Sequence, residues 1–140
     1  MRLGRRPTHF QENTEWSKLR ALYNNHQVIN ERHRHRYEVN PEFIERLESQ
    51  GLTFVGKDDK NERMEVIELK DHPWYVGVQF HPEYLSRVLD PSRPYLGFVA
   101  ASAGYLGEIT KGMSQGENGV PILNGIHGVN GVVNGSGSAF

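Results

Sequence analysis

Residues 75–83 read Tyr75-Val76-Gly77-Val78-Gln79-Phe80-His81-Pro82-Glu83. A run rich in aromatic and β-branched side chains ends, and two ionisable residues follow with one proline between them. The run 75–80 has the length and composition of a buried strand. Proline disfavours the helical region for the residue before it, so His81 is predicted to be extended. In an extended backbone residues i and i+2 project to the same side. Glu83 is thereby placed to reach one ring nitrogen of His81 and leave the other free. A carboxylate in that position fixes the imidazole tautomer and stabilises the imidazolium during proton transfer. Catalytic groups also gather at the carboxyl ends of strands in open α/β sheets. Spacing alone favours a strand end with two solvated polar side chains, because His-x-Glu is short and common. The surroundings have to decide.

Working outward, 52–55 and 64–69 read as two strands joined by the polar turn 57–63, a hairpin. Upstream, Asn40-Pro41 is a helix start, with Asn to cap free N–H groups and proline at the first helical position. Phe43, Ile44 and Leu47 then share a face, and Gly51 is placed to end the helix. The segment 28–37 reads as extended. Before it, Trp16, Leu19, Leu22 and Tyr23 fall three or four apart after Thr14, the pattern of a short amphipathic helix. Beyond the histidine, Ser92 and Pro94 open a last helix containing Leu96, Phe98, Val99 and Leu106. Strands alternating with helices give an α/β layered fold.

The composition changes near Gly107. Nine of the thirty-four residues in 107–140 are glycine, and Asn-Gly recurs at Asn118, Asn124, Asn130 and Asn134. Apolar pairs such as Val132-Val133 are too sparse for a core, so 107–140 is expected to be a disordered tail behind a domain at 1–106. A length of 140 residues suits one domain. The formal net charge of −1 gives no global pull toward nucleic acid or an anionic membrane. No apolar run approaches the ~20 residues that span a bilayer, and the basic start Met1-Arg2-Leu3-Gly4-Arg5-Arg6 lacks the apolar stretch of a secretory signal. A cytoplasmic setting is the expectation. There is no cysteine, which excludes disulfides, thiolate zinc sites and a cysteine nucleophile within these residues.

Phe80-His81-Pro82-Glu83 after Gly77-Val78-Gln79 resembles the His–Glu part of the Cys-His-Glu triad of class I glutamine amidotransferases. Glu31-Arg32-His33-Arg34-His35-Arg36-Tyr37-Glu38-Val39-Asn40, Met1-Arg2-Leu3-Gly4 and His72-Pro73-Trp74 narrow the resemblance to the CTP synthase family. It covers about residues 1–105, with the blocks in register. The resemblance implies the C-terminal half of a flavodoxin-like glutaminase domain. It also implies a mechanism: a cysteinyl thioester is formed from glutamine, and ammonia passes to UTP phosphorylated at O4. In that scheme His81 is the general base and acid, Glu83 orients it, and Arg36 contacts the glutamine substrate. A guanidinium suits the substrate's α-carboxylate because it donates two parallel hydrogen bonds. The family's ATP and Mg²⁺ belong to an N-terminal synthetase domain, GTP is its allosteric activator, and its members are homotetramers; this segment is expected to bind no cofactor. The nucleophile and oxyanion hole of the family lie upstream of the residues seen here. The expectation is therefore a fragment or truncated gene model, inactive alone, or else a non-catalytic piece that binds intact subunits.

Other readings of the same residues are weaker. Arg32, Arg34 and Arg36 form a potential phosphate patch, but strand alternation puts them opposite His33 and His35, and only Tyr37 is near for base stacking. A metal site from His33, His35, His72 and His81 lacks a second cluster with ligand spacing, so no metal is expected.

Overall fold

The computed structural model describes residues 1–113. Five strands form one sheet in the order β2-β1-β3-β4-β5, with β1 at Arg2–Phe10, β2 at Val28–His35, β3 at Leu52–Lys57, β4 at Met64–Leu69 and β5 at Val76–Val78. Every pairing in this sheet is antiparallel. β1 and β2 run together from Arg2↔His35 to His9↔Val28. β1 then holds β3 through only two pairs, His9↔Lys57 and Phe10↔Gly56. The mixed α/β character matches the expected fold class, and the part described contributes only antiparallel ladders.

The predicted hairpin is β3–β4. Its turn is closed by Asp58, whose Oδ1 accepts from the backbone N–H groups of Glu62 and Arg63 at 2.8 and 3.0 Å. The predicted helix start at Asn40 is also present: its Oδ1 accepts from the Glu42 N–H at 3.1 Å and opens a 3-10 turn at Pro41–Phe43 that leads into α2, Ile44–Glu48. Gly51 follows with φ of +90°, a conformation that suits glycine at a helix end. The apolar residues of this segment stay partly or fully exposed, Phe43 among them.

α1, Lys18–Leu22, buries Leu19 and Leu22 as its spacing predicts. Its cap is Ser17, whose Oγ accepts from the Arg20 N–H at 2.9 Å. The fully buried carboxylate of Glu68 accepts from the N–H groups of Lys18 and Leu19 and from the Ser17 hydroxyl. The free donors of the first turn are thus satisfied by a strand residue fifty positions away. The core joins Phe10, Leu19, Ile29, Val55, Val66 and Phe80, with Trp16 and Trp74 packed against it.

Three expectations need correcting. The strand at 75–80 is only Val76–Val78, a half-exposed sheet edge, and Phe80 alone is deeply buried. The last helix is two: α3, Arg93–Ser102, and α4, Leu106–Met113, separated at Gly104, which has φ of +79°. α3 buries Pro94, Gly97 and Ala100 and turns Phe98 and Val99 outward, because Gly97 lies flat against the Trp74 indole. The tail expected from 107 begins with helix α4; its remainder, 114–140, falls outside the described residues.

Leu47, Leu52, Phe54, Val66 and Val78 line an open groove of about 300 Å³, and Val88 and Leu89 are almost fully exposed. A surface of this kind makes a poor free-standing domain. The polypeptide 1–140 produced alone is expected to bind a hydrophobic dye and to unfold over a broad temperature range. A sharp, cooperative melt from a compact monomer is the result that would contradict this.

Candidate functional site

β5 delivers the site. Val78 pairs with Val66, and the Gln79 N–H continues the edge by donating to the Glu65 carbonyl at 2.9 Å. Phe80 then enters the core with its ring edge-on to His33, centroids 6.2 Å apart. The His81 N–H donates to the Arg32 carbonyl at 2.8 Å, which fastens the histidine to β2. His81 is extended, with φ of −102° and ψ of 95°, as the following proline requires. Pro82–Tyr84 is a 3-10 turn and not the extended backbone predicted, and it is this turn that carries Glu83 back to the ring.

His81 Nδ1 and Glu83 Oε1 are 2.7 Å apart. A carboxylate only accepts, so Nδ1 carries the proton and Nε2 presents a lone pair. Glu83 is held below the usual carboxylate range, first by the His81 hydrogen bond and then by its own backbone N–H, against the cost of desolvation. Both side chains are reachable from solvent, His81 at 39% and Glu83 at 50% exposure. Nδ1 is thus engaged, and among the described residues Nε2 makes no hydrogen bond. Tyr84, which the sequence did not single out, borders it: its ring is 5.6 Å from that of His81 and 5.6 Å from the Arg32 guanidinium, and its hydroxyl is 3.5 Å from the guanidinium of Arg34.

Arg36 follows the end of β2 and lines a cleft of about 410 Å³ with Arg2, Arg6, Lys60 and Arg63, against the acids Glu38 and Asp59. The excess of guanidinium and ammonium groups suits a carboxylate or other anion. β2 alternates as predicted, with Arg32 and Arg34 exposed and His33 buried.

Beneath both places lies a buried polar cluster. Arg2 pairs with Glu65 at 3.0 Å and lies 3.6 Å from Asp58, which also holds Arg63 at 3.0 Å. His33 Nδ1 is 3.5 Å from Glu65 Oε2 and 3.1 Å from His35 Nε2. Burial pushes the His33 imidazole down to about 4, and the charges of Arg2 and His35 add to this. Burial pushes the Glu65 carboxyl up to about 7, against the lowering pull of Arg2. Donor atoms of His33, His35 and Glu65 lie within 4.8 Å of one another. Arg2 already supplies the positive charge there, and the two imidazoles bond each other. Among the described residues neither His72 nor His81 joins this group; His72 instead accepts from the Trp74 N–H at 3.1 Å.

Glu65 carries a pH dependence whose sign follows from its shift. Its proton is bound more tightly in the fold than at the ordinary value of 4.5. The stabilising contribution is complete below that value and is lost as pH rises through about 7. In a protein that contains this segment, the urea midpoint should fall over this window, and Glu65→Gln, which mimics the protonated acid, should flatten the fall. Equal slopes in parent and variant would show that Glu65 does not titrate there.

Comparison with known proteins places these observations. The glutamine amidotransferase class-I family model matches residues 2–101. A CTP synthase of Neurospora crassa is 70% identical over 115 residues, which cover 82% of this chain and 20% of that protein. CTP synthase 1 of Saccharomyces cerevisiae is 56% identical over 121 residues, covering 84% of this chain and 21% of that one. The chain thus spans about a fifth of the length of these relatives. Among solved structures, the Trypanosoma brucei CTPS glutaminase domain with bound acivicin superposes with a TM-score of 0.68 at 36% identity, over 74% of this chain and 40% of that one.

Proposed function

The chain belongs to the class I glutamine amidotransferase family, and from that premise we propose that it forms the C-terminal part of the glutaminase domain of a CTP synthase. The observation that carries the reading is the His81–Glu83 contact at the end of β5, with Nε2 left open. In the proposed reaction a cysteine outside the given sequence attacks the amide carbon of glutamine. His81 takes the thiol proton at Nε2 while Glu83 stabilises the imidazolium, and that proton then goes to the departing ammonia. Water attacks the resulting thioester with the same ring as base. Ammonia is consumed by UTP activated with ATP and Mg²⁺ in a synthetase domain; no residue of this segment is assigned to those ligands or to the activator GTP. A homotetramer in the cytoplasm belongs to the same reading, and no helix among the described residues is long and apolar enough to cross a membrane.

Arg36 is the proposed partner of the glutamine α-carboxylate, which its exposed place in a cationic cleft supports. In a complete enzyme containing this segment, Arg36→Ala should raise the KM for glutamine roughly ten- to a hundredfold, the usual effect of losing a charged hydrogen-bonding partner. Ammonium-supported CTP formation should survive. An unchanged glutamine dependence would remove Arg36 from the substrate site.

A second reading, association of the polypeptide with intact subunits, draws on the open apolar groove beside β3 and β4. The coding sequence upstream of Met1 separates the two: an in-frame Gly-x-Cys-x-Gly elbow favours the enzyme.

A further inference from the structure

We propose that His35 is a positioning residue for glutamine capture, holding the backbone turn on which Arg36 is mounted. The inference rests on the assignment of Arg36 to the substrate carboxylate. β2 ends at His35, so the strand ladder does not set the course of Arg36 and Tyr37. The His35 side chain takes over: its Nδ1 lies 3.0 Å from the Tyr37 carbonyl, a bond that spans Arg36 and closes the turn around it.

The protonation of the ring follows from its neighbours. A carbonyl can only accept, so Nδ1 carries hydrogen and donates. In neutral His35, Nε2 is then an acceptor, and the atom facing it, His33 Nδ1 at 3.1 Å, must be the donor. His33 is fixed in turn, being fully buried between Glu65, 3.5 Å away, and the edge of Phe80. The result is a chain of hydrogen bonds from the first imidazole to the second and on to one backbone carbonyl, with the Glu65 carboxyl beside the first ring. Each ring is held by the next, and only the last bond touches the turn that bears Arg36. Phe80, which backs His33, is the residue before the catalytic histidine candidate, so the two halves of the site share one support.

A support of this kind sets where the guanidinium points and leaves the hydrolytic groups alone. It should therefore appear in substrate binding. Using a complete enzyme, the test compares His35→Ala, His35→Asn and Arg36→Ala by steady-state kinetics with glutamine, and with ammonium as a control for folding of the rest. His35→Ala is expected to raise the KM for glutamine about tenfold with kcat close to the parent value, the effect of one hydrogen bond lost from a binding element. His35→Asn places an amide N–H near the position of Nδ1 and is expected to recover most of that loss. A merely structural role would lower the glutamine and ammonium rates together and give no rescue by Asn, and either result overturns the proposal. If Arg36→Ala raises the KM and His35→Ala does not, the positioning role fails alone. If neither variant changes it, the assignment of Arg36 fails and takes the positioning role with it.

Discussion

Replacing His81 by alanine in a complete enzyme built around this segment is expected to cut glutamate release from glutamine by about a hundred- to ten-thousandfold, the range that a positioned acid–base group contributes. The expectation follows from geometry. Nδ1 is committed to Glu83 at 2.7 Å, so the whole basic capacity of the ring is at Nε2. Thiol activation and protonation of the leaving ammonia both fail in the variant. Glu83→Ala should be milder, because the His81 backbone N–H keeps its bond to the Arg32 carbonyl and the ring loses mainly tautomer control. Glutamate release by the two variants, measured at saturating glutamine, checks the order of the effects. Equal losses would mean that Glu83 does more than orient the ring.

The largest structural effect is expected at Gly97. A methyl group there would meet the Trp74 indole at 2.0 Å from Cη2 and 2.5 Å from two further ring carbons. Trp74 packs on the core and belongs to the segment leading into β5, so it cannot step aside without moving the strand that delivers His81. Overpacking of this sort costs about 1–3 kcal/mol and sometimes more. Gly97→Ala should therefore lower the urea midpoint of the glutaminase domain and undock α3. Gly107→Ala is the matched control. It lies in α4 with nothing within 4 Å of the added methyl, and alanine there should be neutral or stabilising by up to about 1 kcal/mol. A Gly97→Ala protein as stable as the parent would show that α3 does not sit on the indole.

Much of the fold was legible where a short-range rule governs it. The β3–β4 hairpin, the Asn40 cap and the stop at Gly51 each depend on residues within a turn of one another. So does the His81–Glu83 contact, although the chain makes it with a 3-10 turn. What escaped depends on partners far along the chain. Arg2–Phe10 is basic and contains Pro7, with no strand-like pattern, and becomes a strand because β2 pairs with it. Glu65 and Glu68 lie in an apparently amphipathic strand yet are both buried, because Arg2 and the start of α1 supply the missing partners. The outward turn of Phe98 and Val99 follows from the Trp74 contact, which no helical periodicity contains.

The central claim is that His81 and Glu83 serve amide hydrolysis and nothing else. One measurement tests it: CTP formation by the parent and by His81→Ala in a complete enzyme, with glutamine or ammonium as the nitrogen source in the same preparation. The glutamine-supported rate should nearly vanish in the variant while the ammonium-supported rate stays near the parent value. A folded His81→Ala enzyme that lost both rates in equal proportion, or that lost neither, would contradict the account.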